Sequence, residues 1–461
     1  MTVTAPSAEP VAAAPPVRRR RDAVRDRLVG FGRPPRVVGL DIARGLAVIG
    51  MIGAHVGDVP ELVWSDPSTW GGVVHGRSSL LFAVVAGVSL ALLTRGVRDA
   101  DADRVRTVRL QLLGRGAAIF VIGLLVELVS GPVAVILTLY GVLFVAAIPL
   151  VRWSQRRLLL VAAGLALLGP VTLALVQSVA LGSGPGTDLV LMGVYPATVW
   201  LALMMLGMAV GRLDLRSPRV AAGLVGVGVV LAVVGFGAGS LASGLTGGGS
   251  SSSSSSSWSS SSSSTTTVPG DDVDLTGLEC EVWDDEWVSC YPAGAMSEEG
   301  LVDEGSLGDE VEDTGPDVPA LLASAATQAL SVSPHSGGTP EVVGSAGFAL
   351  AVLGLCLLVG RPLRWVLLPV AALGSMPLTA YSLHVVLVAT LGETAVAQHP
   401  NLYWLLMAGA LALAASVWAV LVGRGPLETL TARVSAAAAG VTPAPAPAPE
   451  GAPGPGPTAA P

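Results

Sequence analysis

The reading of the fold turns on RVVGLDIARGLAVIGMIGAHVG, residues 36–57. An apolar run of this length reaches across a bilayer, which needs about 20 residues in a helix. It nevertheless carries Asp41, Arg44 and His55. It is not a cleaved signal peptide, because it follows a polar and basic arm and lacks a small-residue cleavage site. Nine further apolar runs lie near 78–94, 111–130, 132–151, 158–181, 192–211, 220–242, 345–360, 366–390 and 402–422. The chain is 51% hydrophobic and 13% charged, with a mean hydropathy of +0.66. One core could not bury ten such runs as internal helices. The expected fold is all-α: a polytopic transmembrane helical bundle of about ten spans.

The charges orient it. There is no lysine, and the 26 basic residues are all arginine. With the N-terminus in the cytoplasm and the spans alternating, every arginine except Arg77 falls on the cytoplasmic side or at its interface. That is the asymmetry of the positive-inside rule. It places both termini in the cytoplasm of a multi-pass plasma-membrane protein. The arm RRRRDAVRDR (18–27) then serves orientation and anionic lipid rather than nucleic acid.

The chain divides into a basic arm (1–36), spans 1–7 (37–242), an insertion (243–343), spans 8–10 (344–424) and a Pro/Ala-rich cytoplasmic tail (425–461). The arm and the tail's end read as disordered. The insertion opens on a flexible Ser-rich tether and turns acidic. It holds no arginine, so the alternation puts it outside. There Cys280 and Cys290, in CEVWDDEWVSC, are expected to pair in a disulfide. Cys356 lies in an apolar run and reads as a reduced packing residue. No regular Ca²⁺-loop spacing and no zinc-type histidine cluster occurs, so no metal is expected. No P-loop or dinucleotide glycine pattern occurs either, which argues against an ATP-driven pump.

The chemistry must then lie in the spans. Arg44 and His55 are eleven residues apart, about three helical turns, so they share a face and stand roughly 16 Å apart along the axis. Asp41 pairs with Arg44 at i,i+3 spacing. The plain reading is a helix anchor and an interhelical histidine. The functional one is a polar track from the cytoplasm to a general base. His75 and Arg77 open span 2, with Glu127 as a candidate partner for Arg77 or a fellow substrate contact. Arg109 and Arg115 are the inner-side residues suited to phosphate. Thr379, Tyr381 and His384 in span 9 read as interhelical hydrogen-bonding groups.

The stretch 36–57, followed by GRSSLLFAVVAGVSLALL (76–93), resembles bacterial membrane proteins similar to heparan-alpha-glucosaminide N-acetyltransferase, including the YeiB-like group. LTLYGVLF (137–144), YPATVWLALMMLGMAVGR (195–212), GSMPLTAYSLH (374–384) and GRGPLE (423–428) fit the same group. The resemblance implies a transmembrane acyltransferase. Such an enzyme takes an acyl group, commonly acetyl, from cytoplasmic acyl-CoA and delivers it to an extracytoplasmic sugar or glycolipid. Arg44 and His55 also match an arginine, ten residues, histidine pattern in the related acyltransferase-three family. That carry-over makes His55 the base, Arg44 a cofactor-side contact, and Arg109 and Arg115 phosphate contacts. His75 stays open as the catalytic histidine. A solute transporter and a membrane scaffold that uses the acidic loop are the rival readings. The sequence leaves the oligomeric state open.

Overall fold

The structure is a computed structural model. It describes residues 24, 27–30, 36–60, 62, 66–131, 133–178, 196–245, 278–284, 287–292, 325–391 and 398–441. Most of the basic arm, the Ser-rich tether and the end of the tail lie outside these residues.

Each of the ten apolar runs overlaps a helix among the described residues. In chain order the helices are α1 (Val38–Val56), α2 (Arg77–Leu93), α3 (Ala102–Glu127), α4 (Leu137–Ala146), α5 (Gln155–Ser178) and α6 (Ala197–Val210). They continue with α7 (Pro218–Leu245), α8 (Thr339–Val359), α9 (Leu368–Ser375), α10 (Pro377–Leu391), α11 (Pro400–Leu421) and α12 (Pro426–Ala438). Six of them are long and apolar enough to cross a membrane. The number rises to eight if the 3-10 turn Pro67–Val74 with α2, and α9 with α10, each count as one bent span. Helices α4 and α6 are apolar but shorter.

The sequence sets many of these boundaries. Proline stands in the first turn of α8, α9, α11 and α12, where its missing N–H costs nothing. Asp101 caps α3, accepting the backbone N–H of Arg104 at 2.8 Å, the usual work of an N-cap aspartate.

Helix α1 is the inner element. In its apolar window 72% of residues are buried, against 22% for α7. It packs against α2, α8, α9, α10 and α11. The outer faces of the peripheral helices carry exposed apolar side chains, among them Leu125, Leu160, Val230, Val233 and Leu405. Water would penalise such faces, whereas lipid accepts them. Interior contacts depend on small residues. At the α2–α6 crossing, a Cβ on Gly87 would lie 2.0 Å from the carbonyl oxygen of Met204, and one on Gly207 equally close to that of Val84. The two backbones therefore touch, as small residues allow in membrane bundles.

Residues 278–284 and 287–292 belong to a unit separate from the bundle. Within it β1 (Leu278–Asp284) and β2 (Trp287–Pro292) make an antiparallel hairpin, and the register sets Cys280 opposite Cys290.

Two stretches differ from the sequence reading. Residues 325–338, drawn inside the insertion, are helix and turn grouped with the bundle. Gly337 lies beside Pro196, and Thr339 donates to the carbonyl of Leu167. Residues 426–438, drawn as the start of the tail, form α12. It packs on α3, where Gly114 lies against Ala438 and Val434.

Candidate functional site

The last turn of α1 holds His55, and α10 brings His384 to it. Nδ1 of His55 lies 3.1 Å from Nε2 of His384, and the ring planes are within 9° of each other. Near-parallel planes with an N···N contact of that length describe two imidazoles meeting edge to edge through a hydrogen bond. His384 is sealed from solvent, while His55 keeps some exposure. The edge of Tyr381 packs on His384, ring centroids 4.9 Å apart. Tyr381 is itself fixed, its hydroxyl accepting the backbone N–H of Ile136 at 3.2 Å. Trp404 of α11 seats against Gly53 and donates its indole N–H to the carbonyl of Ile49 at 2.8 Å.

His384 reaches this position because the chain breaks. Helices α9 and α10 meet at 91°. The N-terminus of α10 is capped from another helix. The Glu428 carboxylate accepts the backbone N–H groups of Leu378 (2.7 Å) and Thr379 (3.1 Å), and the Thr379 hydroxyl at 2.6 Å. A carboxylate suits a helix N-terminus for both dipole and hydrogen-bond reasons. The segments GSMPLTAYSLH and GRGPLE thus join in one contact, and Glu428 is a positioning group for His384.

One end of the α1 face carries Asp41 and Arg44. Nη1 of Arg44 donates to Oδ1 of Asp41 at 2.5 Å and to the carbonyl of Gly374 at 3.3 Å. Its Nε and Nη2 donate to Ser89 Oγ at 3.3 and 3.0 Å. Arg44 therefore ties α1 to α2 and to the end of α9. A Cβ on Gly374 would meet the Asp41 carbonyl oxygen at 1.8 Å, so only glycine permits this approach.

Arg115 is different. It lies largely buried on α3, and its Nε meets no hydrogen-bonding partner. The charges acting on it are Arg424, Glu428 and Arg44. The Glu428 carboxylate is already engaged at α10. The region therefore has an excess of positive charge and an orphaned guanidinium N–H. Arg109, six residues earlier, is exposed and stands about 240° away round the helix, so it does not share the Arg115 site.

His75 ends the 3-10 turn Pro67–Val74. Asp66 caps that turn, and hydrogen bonds from the Ser68 hydroxyl and N–H hold its carboxylate below the usual range. His75 packs against His335, ring centroids 5.0 Å apart. His335 has φ 69°, a conformation that few side chains accept. The buried Glu341 carboxylate holds it there, taking the N–H groups of His335 (2.8 Å) and Gly337 (2.7 Å) and the hydroxyl of Ser336 (3.0 Å). Arg77 lies 4.9 Å from the centroid of Phe236 and donates to Gly72 at 3.4 Å. Glu127 is exposed at the end of α3. Among the described residues no group of three or more metal-ligating side chains occurs.

The sequence reading named His384 only as an interhelical group and missed His335, Glu341 and Glu428. The available signals were a histidine in an apolar run and an acid just after a proline at a helix start.

A helical bundle of long apolar helices with apolar outer faces is a multi-pass membrane protein, and this one holds a histidine pair in its interior. Residues 36–241 match the family model described as heparan-alpha-glucosaminide N-acetyltransferase, catalytic. Over that length, helices α1 to α7, the chain resembles these proteins, and the match supports a membrane acetyltransferase type of family. No curated protein and no solved structure matches the chain.

Proposed function

We propose that this protein is a membrane acyltransferase that moves an acyl group from cytoplasmic acyl-CoA, acetyl by preference, to an extracytoplasmic sugar or glycolipid. The observation that carries the reading is the His55–His384 contact. Only one proton fits between two imidazole nitrogens 3.1 Å apart. When it sits on Nδ1 of His55, Nε2 of His55 offers a lone pair towards the exposed side. That nitrogen takes the proton of an acceptor hydroxyl or amine as the acceptor attacks the thioester carbonyl. The new C–O or C–N bond forms, the C–S bond breaks, and the proton passes to the departing sulfur. His384 fixes the tautomer and the ring of His55, the role of the orienting partner of a base.

The donor's phosphates go to Arg115, whose unpartnered guanidinium suits an oxyanion. Arg109 is an outer contact, and Arg44 holds the helices between donor and base. His75, Arg77 and Glu127 belong to the acceptor side. Ten spans, cytoplasmic termini and a bacterial plasma membrane complete the reading. Labelled acetyl-CoA added to the purified protein with cell-envelope glycans tests it. Label on the glycan or release of CoA supports transfer; neither, with folded protein, rejects it.

A buried unpaired arginine is costly until an anion arrives. Arg115→Met is therefore expected to leave the empty protein as stable or more so. It should raise KM for acyl-CoA about tenfold or more, since a charge-assisted hydrogen bond contributes about 1.5–3 kcal/mol. Thermal unfolding and initial rates check the two halves.

The hairpin register bears on the outside placement of the insertion. Cys280 and Cys290 are expected to resist alkylation in the unfolded, unreduced protein, leaving Cys356 as the thiol that labels, with all three cysteines labelling after reduction. Mass spectrometry of the alkylated chain reads this directly.

The 91° break between α9 and α10 favours a second reading, because discontinuous helices line transport sites. Solute uptake by proteoliposomes without acyl transfer would select it.

A further inference from the structure

Helices α3, α10 and α12 touch one another pairwise, and charged groups of the candidate site converge on their junction. At the α3–α12 crossing, a Cβ on Gly114 would lie 2.6 Å from Cβ of Ala438 and 3.0 Å from the carbonyl oxygen of Val434. Ser435 donates its hydroxyl to the carbonyl of Gln111 at 2.8 Å. Arg115 follows Gly114 directly, so α12 is fixed beside the arginine whose Nε is orphaned.

The other side of the junction is the start of α10. A helix that leaves its predecessor at 91° has first-turn N–H groups with no partner in a preceding turn. Glu428 takes those of Leu378 and Thr379, together with the Thr379 hydroxyl. That hydroxyl oxygen in turn accepts the backbone N–H of Leu427 at 3.2 Å, so the starts of α10 and α12 cap each other. Gly425 leaves the room for this, since a Cβ there would run into the Glu428 carboxylate and lie 3.0 Å from the Thr379 hydroxyl oxygen. His384 lies about a turn and a half beyond Thr379 on the same helix.

Glu428 therefore has two claims on it. Its hydrogen bonds go to α10. Yet among the described residues it is the one carboxylate whose charge acts on Arg115. The other charges there are Arg424, which is exposed, and Arg44, which is occupied by Asp41, Ser89 and Gly374. Both repel Arg115. A buried guanidinium N–H without an acceptor is costly, and the acid able to relieve it is Glu428. Whatever share of the carboxylate goes to Arg115 is lost to the cap of α10. An anion at Arg115 removes that competition.

We infer that Glu428 is a positioning residue that responds to the donor: before the donor binds, its carboxylate divides between Arg115 and the N-terminus of α10, and an anionic donor phosphate at Arg115 returns it to α10 and sets His384 against His55. The inference rests on the donor and base assignments proposed above. It orders the reaction, because the base is fully assembled when the thioester is present. Coupling of this kind is reciprocal: if the donor tightens the cap, the carboxylate that competes for Arg115 weakens the donor.

Hydrogen exchange read by mass spectrometry on the intact protein in detergent tests this, with coenzyme A as the probe and calorimetric titration for its affinity. Coenzyme A should slow exchange over 377–384 about fivefold or more, within the usual range of coupling between two sites. That measurement needs no variant. Arg115→Met should show the slow exchange with no coenzyme A present. The amide of Glu428→Gln still accepts the N–H groups but no longer draws Arg115. This variant should bind coenzyme A about fivefold tighter and lower kcat roughly two- to fivefold, the loss of one charge at a helix N-terminus. A cap that only holds the fold would lower kcat without tightening the donor and would not respond to Arg115. Exchange unchanged on binding of coenzyme A, or weaker binding in folded Glu428→Gln, overturns the coupling and leaves the donor reading standing. No binding of coenzyme A to the folded protein removes the donor reading and the coupling with it.

Discussion

Replacing His55 by alanine is expected to lower acyl transfer by about 10²–10⁴, the usual contribution of a positioned general base. His384→Ala should cost a comparable amount, although His384 is sealed from solvent and cannot meet a substrate. The reason is the 3.1 Å contact: without His384 the proton on His55 is free to sit on Nε2, the nitrogen that must accept. Because the two act as a unit, the double variant should be little worse than His55→Ala alone. A structural role would not give that pattern. Two histidines that merely packed would lose stability on substitution and leave kcat alone. His384→Gln sharpens the distinction. Its amide oxygen can still accept the Nδ1–H of His55 and hold the tautomer but does not titrate, so it should keep the fold and most of kcat while altering the pH dependence of kcat. His75→Ala should leave kcat within a few-fold, because His75 packs on His335 and not on the pair. Full activity in His55→Ala, or abolished activity in His75→Ala with His55→Ala active, would reverse the assignment.

What the sequence disclosed follows from the distance over which side chains signal to each other. The 3.6-residue period of α1 put Arg44 and His55 on one face and brought Asp41 within reach of Arg44, and the Asp41–Arg44 bond is there. The ten apolar runs marked the helices because lipid-facing and buried faces are both apolar. His384 was visible as a residue but not as a partner of His55, since 329 residues separate them and no local pattern joins two helices so far apart. The Glu428 carboxylate looked like part of a tail for the same reason: its partners, Leu378 and Thr379, lie near the start of another helix. Residues 325–338 are rich in small and polar side chains and resembled the linker before them. What folds them is Glu341, an acid that gathers two backbone N–H groups and a serine hydroxyl. Backbone partners of that kind leave no hydrophobic trace. The surroundings of Arg77 could not be read from the sequence, because opposite charge alone does not fix helix rotation. Phe236 and the carbonyl of Gly72 are among its neighbours.

The second large effect concerns Asp41 and Arg44. Arg44→Ala would leave the Asp41 carboxylate buried and unpaired and would release Ser89 and the Gly374 carbonyl. Breaking a buried pair from one side costs about 3–5 kcal/mol, enough to unfold many domains or remove them from the membrane fraction. That cost would hide any role of Arg44 at the donor, so loss of activity in the single variant says little. The informative variant is Asp41→Asn with Arg44→Gln, which keeps hydrogen bonding across the same contact and removes both charges. It is expected to recover most of the stability, because two neutral partners replace two charges that had to be desolvated. If Arg44 serves only to tie α1, α2 and α9 together, KM for acyl-CoA in this double variant should stay within about threefold of the unsubstituted protein. A rise of tenfold or more, with unfolding restored, would place the guanidinium on the donor. The geometry favours the first outcome: four hydrogen bonds, to Asp41, to Ser89 twice and to Gly374, already occupy Arg44. A guanidinium has five N–H donors in all. Arg115, with its Nε unpartnered, has the capacity that Arg44 lacks. Comparing the neutral pair with Arg115→Met in the same assay therefore separates the arginine that builds the site from the arginine that binds in it.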